Sequence, residues 1–256
     1  MIHPSALIDD LAGIAEGVSV GPFCVIGPDV EIGAGTVIGP HVVIRGPTRI
    51  GRENRIFQFA SIGEDPQDKK YQGEITRLEI GDRNVIREYS TVHRGTIQDK
   101  SVTRLGDDNL LMAYTHVAHD CVIGNGVIMA NGASLAGHVT VDDSAILGGF
   151  SLVHQFCRIG RYSFSGMGSV ISRDIPPYVM VGGSPTRPRG INSVGMERRG
   201  FDAESILQIK RAFKLIYKSR LKLEEAIESL TTMAEQSSEV IPLLEFLKQS
   251  GRSIIR

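Results

Sequence analysis
A six-residue period runs through most of the chain. Starting at Ile2 and stepping by six, the residues are aliphatic through Ile62, and the phase returns at Ile80, Ile86 and Val92. It resumes shifted by one at Leu105 and continues to Ile171. Of these 26 slots, 25 are apolar, the exception being Ser165. At 41% hydrophobic residues, chance would fill about eleven. The residue after the aliphatic one is Gly in 12 of the 26 slots, and small or β-branched residues recur four places after it. An even period suits strands, whose side chains alternate, and not a 3.6-residue helix. Three strand-and-turn units close a coil of 18 residues, and stacked coils bury one aliphatic column. Each buried Ile or Val contributes roughly 1.5–3 kcal/mol, so the column can stabilise the fold without an aromatic core.

The period fails near 64–79 and near 98–104, where loops are inserted; such excursions from a rigid frame commonly bear function. The repeat ends at Gly182–Gly183, giving a solenoid over 1–183. A Pro- and Gly-rich linker and a helical region follow over 184–256. Apolar spacing at Ile206, Ile209, Phe213 and Ile216 predicts a helix capped by Asp202, with further helices over 223–233 and 239–249. The net charge of −1 gives no support to a nucleic-acid binder. No apolar run approaches the ~18 residues of a membrane span. The opening MIHPSALIDD lacks a secretory pattern, so a cytoplasmic protein is expected.

Cys24, Cys121 and Cys157 share the small-residue slot and are read as packing residues. Five histidines line the solenoid: His93, His116, His119, His138 and His154. An imidazole fits poorly in an aliphatic prism, so most are expected outside. Three readings stay open: an active-site cleft with one general base, a zinc site like that of the hexapeptide-repeat carbonic anhydrases, or solvated surface. No compact HxxxH or CxxC pattern is present. Gly137 follows His119 by one full coil and should lie about 4.8 Å from it. A base beside an accessible N–H suits acyl transfer, the base taking the hydroxyl proton and the N–H holding the oxyanion. An Asp120–His119 bond requires a corner between these neighbours.

The stretches QDKKYQGE, VIREYSTVHRGT, THVAHDCVIGNG, LAGHVTVDD, LVHQFCRIG and GINSVGMERRGF resemble the UDP-N-acetylglucosamine O-acyltransferases that begin lipid A synthesis. The resemblance covers essentially the whole chain and implies a left-handed parallel β-helix with a C-terminal α-helical domain, assembled as a homotrimer. It implies transfer of a (3R)-3-hydroxyacyl chain from acyl carrier protein to UDP-N-acetylglucosamine, with no cofactor or metal. His119 is similar to the family's general base and Gly137 to its oxyanion donor. Asp68, Lys70, His93, His116, His138, Gly149, His154 and Gln155 resemble substrate-contacting positions. Asn192, Arg198 and Arg199 match the segment that grips the nucleotide. Val194 departs from the family pattern, which often has Glu there, and alters the expected uridine contacts. Met167 resembles the acyl-chain ruler, implying a donor of about ten carbons. Six basic residues between Lys210 and Lys222, with no acid, suggest a docking face for the acidic carrier protein. A metal-dependent hydratase on the same scaffold is the alternative.

Overall fold
A computed structural model describes residues 1–249 and 253–256. The six-residue period becomes a three-sided left-handed β-helix. Sheet 1 has nine strands from Leu7–Ile8 to Val170–Ile171, and sheet 2 has eight from Gly13–Ile14 to Arg158–Ile159. Sheet 3 has ten, beginning at Ser19–Val20. It ends with Val179–Gly182 and its antiparallel partner Arg187–Ile191, so part of the segment read as linker is a strand on the prism. All other pairs are parallel, and away from the insertions and the last coil they keep an 18-residue register, such as His116↔Ser134 and Ser134↔Leu152.

The aliphatic column is buried from Val20 to Ile171. Ile2 is 48% exposed, and Ile8 and Ile14 are only partly buried, because no coil stacks beneath them. Most six-residue units turn their corner through a left-handed residue. Tyr114, Asp120, His138, Ser144 and Phe150 have φ of 56–63°, and Gly126 and Gly132 occupy the same phase. Cys24, Cys121 and Cys157 are fully buried, as packing residues should be. Inside the edge between sheets 2 and 3, Asn54, Asn84 and Asn109 form a ladder. Asn54 Oδ1 accepts from Asn84 N and Nδ2, and Asn84 Oδ1 accepts from Asn109 N and Nδ2, all at 2.9–3.0 Å. On the edge between sheets 3 and 1, the rings of Phe23, His41, Phe59, Tyr89 and Tyr114 stack at 5.0–5.2 Å.

Register locates the insertions. Ser61 pairs with Thr91, an offset of 30, and Thr91 with His116, an offset of 25. Against 18, the loops add 12 and 7 residues. Their bounds differ from the sequence reading, because Arg77–Ile80 and Val102–Leu105 are strands of sheet 2. With the strands as bounds, the connecting segments span 65–76 and 94–101. Thr76, just before Arg77–Ile80, and Thr103, inside Val102–Leu105, are buried polar residues, which hides the strand pattern.

The C-terminal region holds α1 (Ser193–Arg198), α2 (Ala203–Tyr217), α3 (Leu223–Ala234) and α4 (Ile241–Lys248). Asp202 caps α2 by accepting from Ser205 N at 2.7 Å. The helices share a core of Met196, Ile209, Leu230 and Phe246 with Tyr178 of the solenoid. No helix among the described residues is long and apolar enough to cross a membrane.

Candidate active site
Both insertions leave the prism at the edge between sheets 1 and 2, and the turns holding His119 and Gly137 lie on that same edge one and two coils above the second loop. Asp120 is the left-handed corner residue. The corner turns adjacent side chains toward each other, so His119 Nδ1 lies 3.0 Å from Asp120 Oδ2. A carboxylate only accepts, so Nδ1 carries the proton and Nε2 is left basic. Asp120 is 1% exposed. It accepts from Thr96 N at 3.0 Å and Thr96 Oγ1 at 2.6 Å, while its own N–H donates to Thr103 Oγ1 at 2.8 Å. Burial raises the carboxyl's pKa, but hydrogen bonds from His119 and Thr96 outweigh it and hold the group below the usual range.

The His119 ring rests on Gly137. A Cβ at position 137 would stand 2.5 Å from His119 Cε1 and 2.7 Å from Nε2, so only glycine fits against this imidazole. The Gly137 N–H donates to no group among the described residues. His138 sits beside it, edge-on to His119 with ring centroids 5.0 Å apart and stacked on Phe156 at 4.4 Å. Its Nδ1 donates to Asp99 Oδ2 at 2.9 Å.

Below these lie His116 and His93. His116 Nδ1 is 2.7 Å from Thr91 Oγ1. Burial first, then the neighbouring His93 and His119, push the His116 pKa down to about 4, so its ring is neutral near pH 7. His93, expected outside with most of the others, is buried under the first loop and donates from Nδ1 to Asp65 O at 2.6 Å. Arg94 anchors that loop. It donates to Gly46 O and Gly63 O at 2.7 Å and to Tyr71 Oη at 3.1 Å, and pairs with Asp65. Asp68 Oδ1 accepts from Lys70 N at 3.0 Å, and Lys70 is exposed. His154 and Gln155 are exposed on the same edge, with Gln155 one coil above Gly137.

The remaining sequence candidates lie elsewhere. Gly149 and Met167 stack one coil apart on the edge between sheets 3 and 1, and Met167 is 84% exposed. Asn192 and Arg199 lie at the edge between sheets 2 and 3. Arg199 Nη2 donates to Gly126 O at 3.3 Å and Asn192 Nδ2 to Tyr162 O at 3.0 Å, while Asn192 Oδ1 caps α1 at Gly195 N. Arg198 and Val194 are exposed on the same helix. One prism side spans six residues at ~3.3 Å, roughly 20 Å, so one chain cannot gather all three edges at one substrate.

Sequence reasoning missed Arg94, Thr96, Asp99 and Thr103, which belong to or flank the insertions and occupy no repeat slot. His119, Asp120 and His138 are the one group among the described residues whose ligand atoms lie close enough for a metal, within 4.8 Å. Asp120 Oδ2 already faces three donors, and both ring Nδ1 atoms face carboxylates. This donor arrangement fits a hydrogen-bonded relay better than a zinc ligand set.

Residues 174–255 match the family described as "Udp N-acetylglucosamine O-acyltransferase; Domain 2", and residues 12–46 and 103–137 match "Bacterial transferase hexapeptide (six repeats)". A protein of Alkalilimnicola ehrlichii named acyl-(acyl-carrier-protein)–UDP-N-acetylglucosamine O-acyltransferase is 59% identical over 100% of this chain and 99% of its own. A protein of the same name from Stutzerimonas stutzeri is 54% identical over the same shares. The solved UDP-N-acetylglucosamine O-acyltransferase of Moraxella catarrhalis superposes with a TM-score of 0.98 at 46% identity, covering 100% of this chain and 99% of that one.

Proposed function
Because this chain belongs to the UDP-N-acetylglucosamine O-acyltransferase family, we propose that it moves a (3R)-3-hydroxyacyl group from acyl carrier protein to the 3-hydroxyl of UDP-N-acetylglucosamine, opening lipid A synthesis. The observation that carries the reading is the buried Asp120 carboxylate holding a partly exposed His119 against the Gly137 backbone. His119 Nε2 takes the proton as the sugar oxygen attacks the thioester carbonyl carbon. The Gly137 N–H donates to the oxyanion. When the C–S bond breaks, the carrier's thiolate recovers that proton from the imidazolium. A positioned base supplies about 10²–10⁴-fold and an oxyanion donor about 10²–10³. His116, neutral at working pH, lines the cleft without adding charge.

The distribution of outward side chains supports a homotrimer. Sheet 1 turns Val25, Val43, Leu152 and Val170 outward, and sheet 3 turns Val85, Leu110, Ile128, Ile146 and Phe164 outward. Sheet 2 turns Glu31, Arg49, Glu79 and Arg104 outward. Three prisms around an axis would bury sheets 1 and 3 and leave sheet 2 in water. The His119 edge of one protomer then faces its neighbour's edge holding Asn192, Arg198 and Arg199, which would meet the nucleotide phosphates and base. Asp68 and Lys70, with His93, His138, His154 and Gln155, line the same cleft. The acyl chain runs inward between sheet 1 and the neighbour's sheet 3, past Gly149, and stops at Met167, which favours a donor of about ten carbons. Four excluded methylenes at ~0.8 kcal/mol each give roughly hundredfold discrimination.

Lys210, Arg211, Lys214, Lys218, Arg220 and Lys222 are all exposed, and none is ion-paired among the described residues. This face suits an acidic carrier protein, and the reading takes the reaction as cytoplasmic. The test is turnover of His119→Ala with the carrier-bound donor. A fall of 10² or more with the fold retained is expected; near-parent turnover removes the assignment.

A further inference from the structure
We propose that Asp99 is a positioning residue that keeps His138 from competing with His119 for the Asp120 carboxylate; this rests on the acyl-transfer reading above. The second insertion is a tight turn, with Ser101 N donating to Thr96 O at 3.0 Å and Ser101 in the left-handed region. Its stem closes on itself, because Gly95 lies directly against the Val102 backbone with no room for a Cβ. That one turn reaches both imidazoles. Thr96 holds Asp120, which holds His119, and Asp99 holds His138.

The geometry shows why two carboxylates are needed. His138 Nδ1 lies 2.9 Å from Asp99 Oδ2 and 3.9 Å from Asp120 Oδ2. Asp120 Oδ2 is already the partner of His119 Nδ1 at 3.0 Å. Phe156 stacks on the His138 face and His119 meets it at 87°, so its ring plane is set by packing. Asp99 captures the Nδ1 proton and so fixes the tautomer, leaving Nε2 as the acceptor. Without it, the nearest carboxylate for the His138 N–H is Asp120. A shared Asp120 would hold His119 less firmly, so the loss falls on the chemical step and not on substrate binding.

The test combines kinetics with a spectroscopic readout that needs no turnover. Asp99→Asn keeps the side chain's shape and removes its charge. Its kcat is expected to fall about tenfold to hundredfold, the range typical when a group orienting a functional histidine is lost, with KM for the sugar nucleotide within about twofold. In a His138→Phe background, Asp99→Asn should change kcat less than about twofold, because the competing donor is gone. Nitrogen-15 shifts of the His138 ring should show Nδ1 protonated in the parent and the proton divided between both nitrogens in Asp99→Asn. Full kcat in Asp99→Asn, an equal loss in both backgrounds, or an unprotonated His138 Nδ1 in the parent would each overturn the proposal. A parent enzyme that transfers no acyl group would instead sink the functional reading, while the ring's tautomer would still report on Asp99.

Discussion

His119 and Gly137 are neighbours through space because they are 18 residues apart, and the imidazole of one fills the volume that a side chain on the other would need. The imidazole is held by backbone on the next coil and from the side by Asp120, so its freedom is small.

Gly137→Ala therefore displaces the ring without disturbing the column. The new Cβ would drive His119 off its seat, and misplacement by an ångström can cost about 10²-fold in rate. We expect kcat to fall by about that factor while circular dichroism and Tm stay near parent values. An unchanged kcat would show that the ring's seat does not matter.

Stability should depend on pH through His116. Its pKa is near 4 in the fold against 6.5 for the free residue, so the unfolded chain binds more protons between those values. Its stabilising contribution is complete above pH 6.5 and is lost as pH falls toward 4. Allowing for the partial exposure of the ring, about 1–3 kcal/mol is at stake. Tm measured from pH 7.5 to 4 should drop across this window, and His116→Gln should flatten that part of the curve.

Met167→Gly should lengthen the preferred donor. Mass spectrometry of product made from mixed-length acyl carrier protein is expected to show a shift beyond ten carbons of roughly a hundredfold in relative rate. The same product distribution from both enzymes would remove Met167 from specificity.

Reversing Arg211 and Lys214 to Glu should raise KM for the carrier-bound donor several-fold at low salt, with kcat preserved and the difference shrinking as salt rises. An unchanged KM would place docking elsewhere.

The architecture was legible because its stabilising column repeats along the chain. The 18-residue coil also correctly stacked Gly137 on His119, and the required corner exists at Asp120. Handedness was not legible from periodicity, since general rules favour right-handed crossovers and only the family resemblance indicated otherwise. The insertion limits were misread because strands 77–80 and 102–105 carry Thr and Arg in place of the usual pattern. Arg94, Thr96 and Asp99 escaped notice for a related reason. Their partners lie 23 to 48 residues away, across offsets set by loop lengths that no period encodes. The distribution of Met167, Gly149 and Arg199 over other edges became visible only with the prism in hand.

Gly149 and Met167 occupy successive levels of one vertical file, like adjacent marks on a measuring stick. The file has a fixed interval of ~4.8 Å, set by hydrogen bonds between coils and not by side-chain size. Moving a blocking side chain along it would change the admitted tail length in discrete jumps of a few carbons. Gly149→Met, where an added Cβ meets only Asn131 O at 3.4 Å, would set the stop one notch shorter without rebuilding the scaffold.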